Sequence, residues 1–428
     1  MKNTRFLLLF LLCAWFSGCG RAVPAPLPED TPEPAAVLEG REYGSKTRLI
    51  SLEGSGVSEE ELREALPLLP GLERLEYPEC PFSTETQLAL HETFPDVDFI
   101  WPVRWADRTV SADSETLELP ESTVSWEELK NLLPLFPRLR EADLGGRKLT
   151  AEELASLWEL CPDVDFRCGV ELFSRTFDSF AEEIDLSGIP MEDTEEVEAA
   201  LELFSRLRKV VMCECGLTNE TMDALNRKYE DIRFVWLVNV FGCALRTDAT
   251  GFIQYNLPPC YLEGGRASNL HYCTDLIALD LGHTGLTDEE MDFLPSMPHL
   301  QYLILADCHI TDISDVALLQ ELTYFEVFES PVRDFSPLLS CPLLTDLNIS
   351  YNACFNEESV EVLRQMTQLE RLWMYGTKLK GDELRELTEA LPDCIIQTGP
   401  AQSSTGGGWR NHDHYRAMRD ALHSRYMW

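Results

Sequence analysis

The chain has 428 residues, 44% of them hydrophobic, enough for a large core in two or three domains or in one repeat array. Its 74 acidic residues against 35 basic ones give a formal charge of −39. Such a chain repels nucleic-acid phosphates and anionic headgroups, so no nucleic-acid partner is expected. Acidic surface attracts calcium, but no D-x-[DN]-x-[DN]-G loop occurs, which argues against a dedicated calcium site.

The first segment, 1–18, is an address. Lys2 and Arg5 precede an apolar run from Phe6 to Phe16, then Ser17-Gly18-Cys19. The run is too short to span a bilayer and suits the h-region of a signal peptide. Small residues followed by cysteine resemble the bacterial lipoprotein signal, with Phe16 where an aliphatic residue is usual. The resemblance implies lipidation at Cys19 and anchoring on the outer face of a bacterial cell membrane, with plain secretion as the alternative. Residues 19–45 then give a proline- and acid-rich tether.

Residues 46–238 hold a long repeat. "VSEEELREALPLLPGLERL" from Val57 returns as "VSWEELKNLLPLFPRLREA" from Val124, and "FPDVDFIW" from Phe94 returns as "CPDVDFRC" from Cys161. A third, weaker copy begins near Ile184, making three units of roughly 67 residues. Ser58 with Glu61, Ser125 with Glu128, Thr150 with Glu153 and Thr287 with Glu290 form S/T-x-x-E capping boxes, so most repeats should continue into a helix. Each long unit adds a strand-like "DVDFIW", "DVDFRC" or "DIRFVW" followed by an irregular stretch. The last of these, 239–275, is the longest and is expected to be an irregular excursion. It holds Cys243, Cys260 and Cys273, two of which could pair in an exported protein.

A shorter pattern, L-x-x-L-x-L-x-x-N/C-x-L, runs through 276–398 at spacings of 22–25 residues and inside the long units. "LQYLILADCHI" from Leu300 fits every position; the copies from Leu276, Leu322, Leu344 and Leu369 follow it. These residues resemble the leucine-rich repeat family, and the 22-residue copies resemble bacterial internalin-type surface proteins. The resemblance implies an α/β solenoid: a curved array with a concave parallel sheet and helices on the convex side. L-x-L puts the leucines on one strand face, and stacked repeats bury it. The N/C position follows the strand and must satisfy buried backbone or be small and apolar. Cys80, Cys215, Thr284, Cys308, Ser330, Asn352 and Thr377 are read as this structural ladder, its cysteines reduced.

The residues flanking the leucines face the other side. Tyr302, Tyr324, Glu326, Phe328, Asp346, Tyr351, Arg371, Trp373 and Tyr375 form an aromatic-rich face there, the candidate ligand site. The competing readings are that aromatics merely stack along the sheet, or that the C-terminal segment covers them. That segment, 399–428, is a Gly-rich linker and a basic amphipathic helix carrying Tyr415, Met418, Leu422 and Tyr426 on one side. It is expected to dock as a cap on the exposed core of the last repeat.

No G-x-S-x-G, H-E-x-x-H or phosphate loop occurs, and no catalytic residue, cofactor or metal is assigned. His412-Asp413-His414 is read as a solvated pair in a polar tail. The functional expectation is a non-catalytic, surface-displayed binding or adhesion module whose concave face takes an unknown protein or glycan. The alternatives are an exported enzyme acting on cell-wall or dietary glycans, and a structural spacer.

Overall fold

The structure, a computed structural model, describes residues 35–121, 124–254, 267–399 and 408–423. The signal peptide with Cys19, Cys260 and Tyr426 lie outside the described residues. Among the described residues no helix is long and apolar enough to cross a membrane. The chain forms two compact units, Met1–Arg140 with Leu160–Asp163, and Glu141–Glu159 with Val164–Trp428.

In the first unit the short strands Leu49–Ser51, Arg74–Glu76 and Asp98–Ile100 pair in parallel. Their central residues Ile50, Leu75 and Phe99 form one buried row. Helices Glu59–Ala65 and Thr84–Thr93 link them. The first starts where it does because the Ser58 hydroxyl accepts from the Glu61 N–H while the Glu61 carboxylate accepts from the Ser58 N–H at 2.8 Å. It tightens to a 3-10 turn at Leu66–Leu68, where Pro67 enters. Helix Trp126–Leu132 repeats this with the Ser125–Glu128 box.

The stretches after each "DVDF"-type strand differ from expectation: they are antiparallel hairpins. Pro102–Trp105 pairs with Arg108–Ser111, Asp165–Leu172 with Arg175–Asp178, and Leu237–Val240 with Cys243–Arg246. Each turns through two residues, and positive φ at Ala106 (50°), Phe173 and Ser174 (49° and 60°), and Phe241 and Gly242 (50° and 81°) matches the twist of the strands. The region 239–275 is corrected in the same way. Its described part holds the end of the third hairpin, strand Gly251–Ile253 and a 3-10 turn at Ser268–Tyr272. Gly251–Ile253 is strand because it finishes the edge of the next sheet and buries Phe252.

That sheet, in the second unit, has seven parallel strands. Its central row is Phe252, Leu279, Leu303, Phe325, Leu347, Leu372 and Ile396. The first six are fully buried and belong to one core running from Val170 to Leu391. The two flanking rows lie on the opposite face: Gly251, Ala278, Tyr302, Tyr324, Asp346, Arg371 and Ile395, and Ile253, Asp280, Ile304, Glu326, Asn348, Trp373 and Gln397. The repeats between 276 and 345 do not continue into α-helices. Their returns are 3-10 turns at Asp288–Glu290, Leu294–Ser296, Ser314–Leu318 and Ser336–Ser340. Pro295 and Pro337 sit at the starts of two of them, and a short repeat leaves no length for a full α-turn. True helices return at Glu357–Leu363 and Gly381–Ala390.

The five inner strands, from Ala278–Asp280 to Arg371–Trp373, are each left through one residue with positive φ: His283, Asp307, Glu329, Tyr351 and Gly376. The following side chain is the ladder residue, and the left-handed step turns it inward. Thr284, Cys308, Ser330, Asn352 and Thr377 donate to the carbonyls of Leu281 (2.7 Å), Leu281 (3.5 Å), Leu305 (3.0 Å), Val332 (3.1 Å) and Met374 (2.9 Å). Cys215 does the same to Leu186 at 3.4 Å, and Cys80 is buried on Gln87. Burial raises the thiols of Cys80, Cys215 and Cys308 above their ordinary range, which suits inert core groups. Cys273 is a buried thiol pushed up to about 12.

Candidate functional site

The face opposite the core is where the sequence placed its ligand residues, and it is not open. The chain's own segment Gly408–His423 lies on it, with a helix at Asp413–Leu422. Tyr324, Glu326, Asp346, Arg371 and Trp373 are buried, while Tyr302, Phe328 and Tyr375 are partly covered and Tyr351 is half exposed. Tyr351 and Tyr375 form an edge-to-face pair at 5.1 Å.

Trp409 is the anchor. Its ring sits 5.8 Å from both Tyr324 and Trp373, under the Arg371 guanidinium at 4.2 Å. Its indole N–H donates to the Tyr324 hydroxyl (2.6 Å) and the Glu326 carboxylate (2.7 Å), and its carbonyl accepts from Arg371 at 3.2 Å. The helix then buries Met418 and Leu422 against Ile253, Ala278 and Ile304. At its far end the helix backbone runs so close to the sheet that a Cβ on Gly251 would collide with the Ala421 carbonyl. Burying one large apolar side chain is worth roughly 1.5–3 kcal/mol, so the three anchors supply the main apolar gain set against the ordering of the segment, alongside its helix and its hydrogen bonds. The segment therefore docks across the sheet face. It does not close the last strand, where Ile395 stays exposed.

The polar groups beneath it are coupled. The Glu326 carboxylate accepts from Tyr324, Trp409 and Asn348. Burial nonetheless raises it above the usual carboxylate range, as it raises the Tyr324 phenol. Asp346 pairs with Arg371 through one oxygen and with His414 Nδ1, at 2.7 Å, through the other. A cavity of about 220 Å³ remains between helix and sheet, lined among others by Asp280, His283, Glu326, Arg410, Tyr415 and Arg419. Burial pushes Asp280 up to about 6, with the Glu326 charge adding and the Gly282 N–H and Arg419 opposing.

The aromatic rows were readable from strand periodicity. Trp409, Gly251 and the contact of the histidine pair with Asp346 were not. The only sequence signal for Trp409 is an aromatic residue at the end of a Gly-rich linker, and the histidines, read as solvated, stand against a buried carboxylate.

In the second unit these features define a parallel sheet built from short sequence repeats, whose non-core face holds the chain's own C-terminal segment. Residues 296–314 match the family model described as "Leucine Rich repeat". No curated protein matches the chain's sequence. Among solved structures it is similar to an internalin of Listeria monocytogenes (14% identity, covering 81% of this chain and 85% of that one, TM-score 0.26). It is also similar to a leucine-rich-repeat protein of Leptospira interrogans (12% identity, 82% and 95%, TM-score 0.27). A third is the TLR13–ssRNA13 complex (15% identity, 83% and 50%, TM-score 0.24). Superpositions this loose carry no argument about function.

Proposed function

We propose that the chain is a non-catalytic binding module, exported and lipid-anchored through Cys19 on the outer face of a bacterial cell, whose ligand face is the sheet surface now held by residues 408–423. The observation that carries this reading is the seating of Trp409, Met418 and Leu422 on Tyr324, Trp373 and Ile253. A face that takes an amphipathic helix with a tryptophan anchor has the chemistry of helix-in-groove recognition, with a hot-spot aromatic over an arginine. The ligand class it favours is a protein segment of that kind. A net charge of −39 supports the exclusion of nucleic acid.

The test uses the soluble chain 40–428 and its Trp409→Ala/Met418→Ala/Leu422→Ala variant. The three changes remove the tail's anchors and leave the sheet untouched, so the tail should lift and free the face. A labelled synthetic peptide of residues 408–428 should then bind the variant at least tenfold more tightly than the parent, and adding Tyr324→Ala with Trp373→Ala should abolish binding. Pull-downs from host- and bacterial-surface extracts with the same three proteins identify the partner. Equal peptide binding by all three would sink the reading.

A second reading, an exported enzyme acting on cell-wall or dietary glycans, is favoured by one observation. Asp280 and Glu326, both raised, line the same cavity, and glycan hydrolysis runs on two carboxyl groups. Turnover of a glycan that stops in Glu326→Gln would carry it.

A further inference from the structure

We propose that Asp346, His412 and His414 form a divalent transition-metal site of the zinc class, which staples the C-terminal segment to the sheet. One ligand atom from each residue lies within 4.8 Å of the others. Asp346 stands in the middle of the sheet and is 1% exposed. The two imidazoles come from the tail, with ring centroids 4.5 Å apart.

The donor set selects the metal. Two imidazole nitrogens and one carboxylate oxygen suit zinc and its neighbours, whereas calcium and magnesium need shells of six or more oxygens. The tautomers are already arranged. His412 Nδ1 accepts from the His414 backbone N–H at 3.2 Å, which leaves Nε2 for a metal. His414 Nδ1 and the Asp346 carboxylate meet directly at 2.7 Å. Ligand atoms around a tetrahedral zinc lie roughly 3.3 Å apart, so this pair opens by about half an ångström on insertion while the third ligand atom, within 4.8 Å, closes in.

The surroundings complete the case. Arg371 holds the other Asp346 oxygen and fixes the plane of the carboxylate, as outer-shell partners do at metal sites. Glu370 stands 3.8 Å from His414 Nε2. A recess of about 260 Å³, lined by Tyr302, Asp346, Glu370 and His414, leaves room for a water in the fourth position.

The consequence is mechanical and does not depend on which ligand the face takes. Asp346 belongs to the sheet and the histidines to the segment over it, so bound metal favours the covered face.

The test titrates zinc into soluble 40–428, kept reduced, against a chromophoric chelator, and follows amide exchange in residues 413–422. The expected result is one equivalent of zinc at micromolar affinity or better and at least tenfold slower exchange in the helix. Both should be lost in the His412→Ala/His414→Ala chain, which keeps every cysteine. Asp346→Asn, which leaves both histidines in place, should lose the same equivalent. Zinc bound equally by all three proteins belongs to thiols elsewhere and overturns the proposal, as does no binding by the parent. Binding without slower exchange refutes the staple.

Discussion

Asn352 is fully buried, donates to the Val332 carbonyl at 3.1 Å and accepts from the Cys354 N–H at 2.8 Å. Its role was legible because the repeat pattern reserves that place for a side chain that answers buried backbone. The burial of Asp280 was not legible, because nothing local in the sequence says that a distant helix will cover it. Its pKa has consequences for stability. Raised from 3.8 to about 6, it holds a proton in the folded chain that the unfolded chain has already released. The stabilisation is complete below pH 4 and is lost as pH rises through 6, up to about 3 kcal/mol in all. Between pH 5 and 7 the native chain should lose about 1 kcal/mol more than Asp280→Asn in urea unfolding. Parallel curves for the two proteins would contradict that environment.

Among elements, the capped helices were legible because a capping box is a local device. The hairpins were not. Their turns use Ala106, Phe173-Ser174 and Phe241-Gly242, and only one glycine marks a left-handed step. Phe173 is retained because it packs on the core, so packing overrides turn preference. Ser174 has no such reason: it is exposed at φ 60°. Ser174→Gly should therefore stabilise the chain by about 0.5–1 kcal/mol, readable as a higher urea midpoint with an unchanged m-value. The helix content of the short repeats was overread, since Thr287 and Glu290 cap a single 3-10 turn. A capping box fixes where a helix starts, not how far it runs.

At the scale of the whole molecule, the repeat spacing announced a parallel sheet with one buried row, while the fate of the other face depended on a segment far along the chain. No periodicity encodes which surface an amphipathic helix will choose. The charge of −39 also acts at this scale. Self-repulsion is screened within about 10 Å at 0.1 M salt, so the Tm should rise by several degrees between 10 and 300 mM sodium chloride. A flat or falling Tm would mean that local ion pairs such as Arg167–Asp178 and Lys209–Asp248 outweigh the global repulsion.

Because the segment over the sheet face is covalently tethered, it competes with any incoming molecule at the millimolar effective concentration that a short linker confers. Every 1.4 kcal/mol by which it favours its own seat weakens the apparent affinity of a rival tenfold. For the proposed binding role the tether sets a threshold, which only a molecule that outbids this intramolecular neighbour would cross.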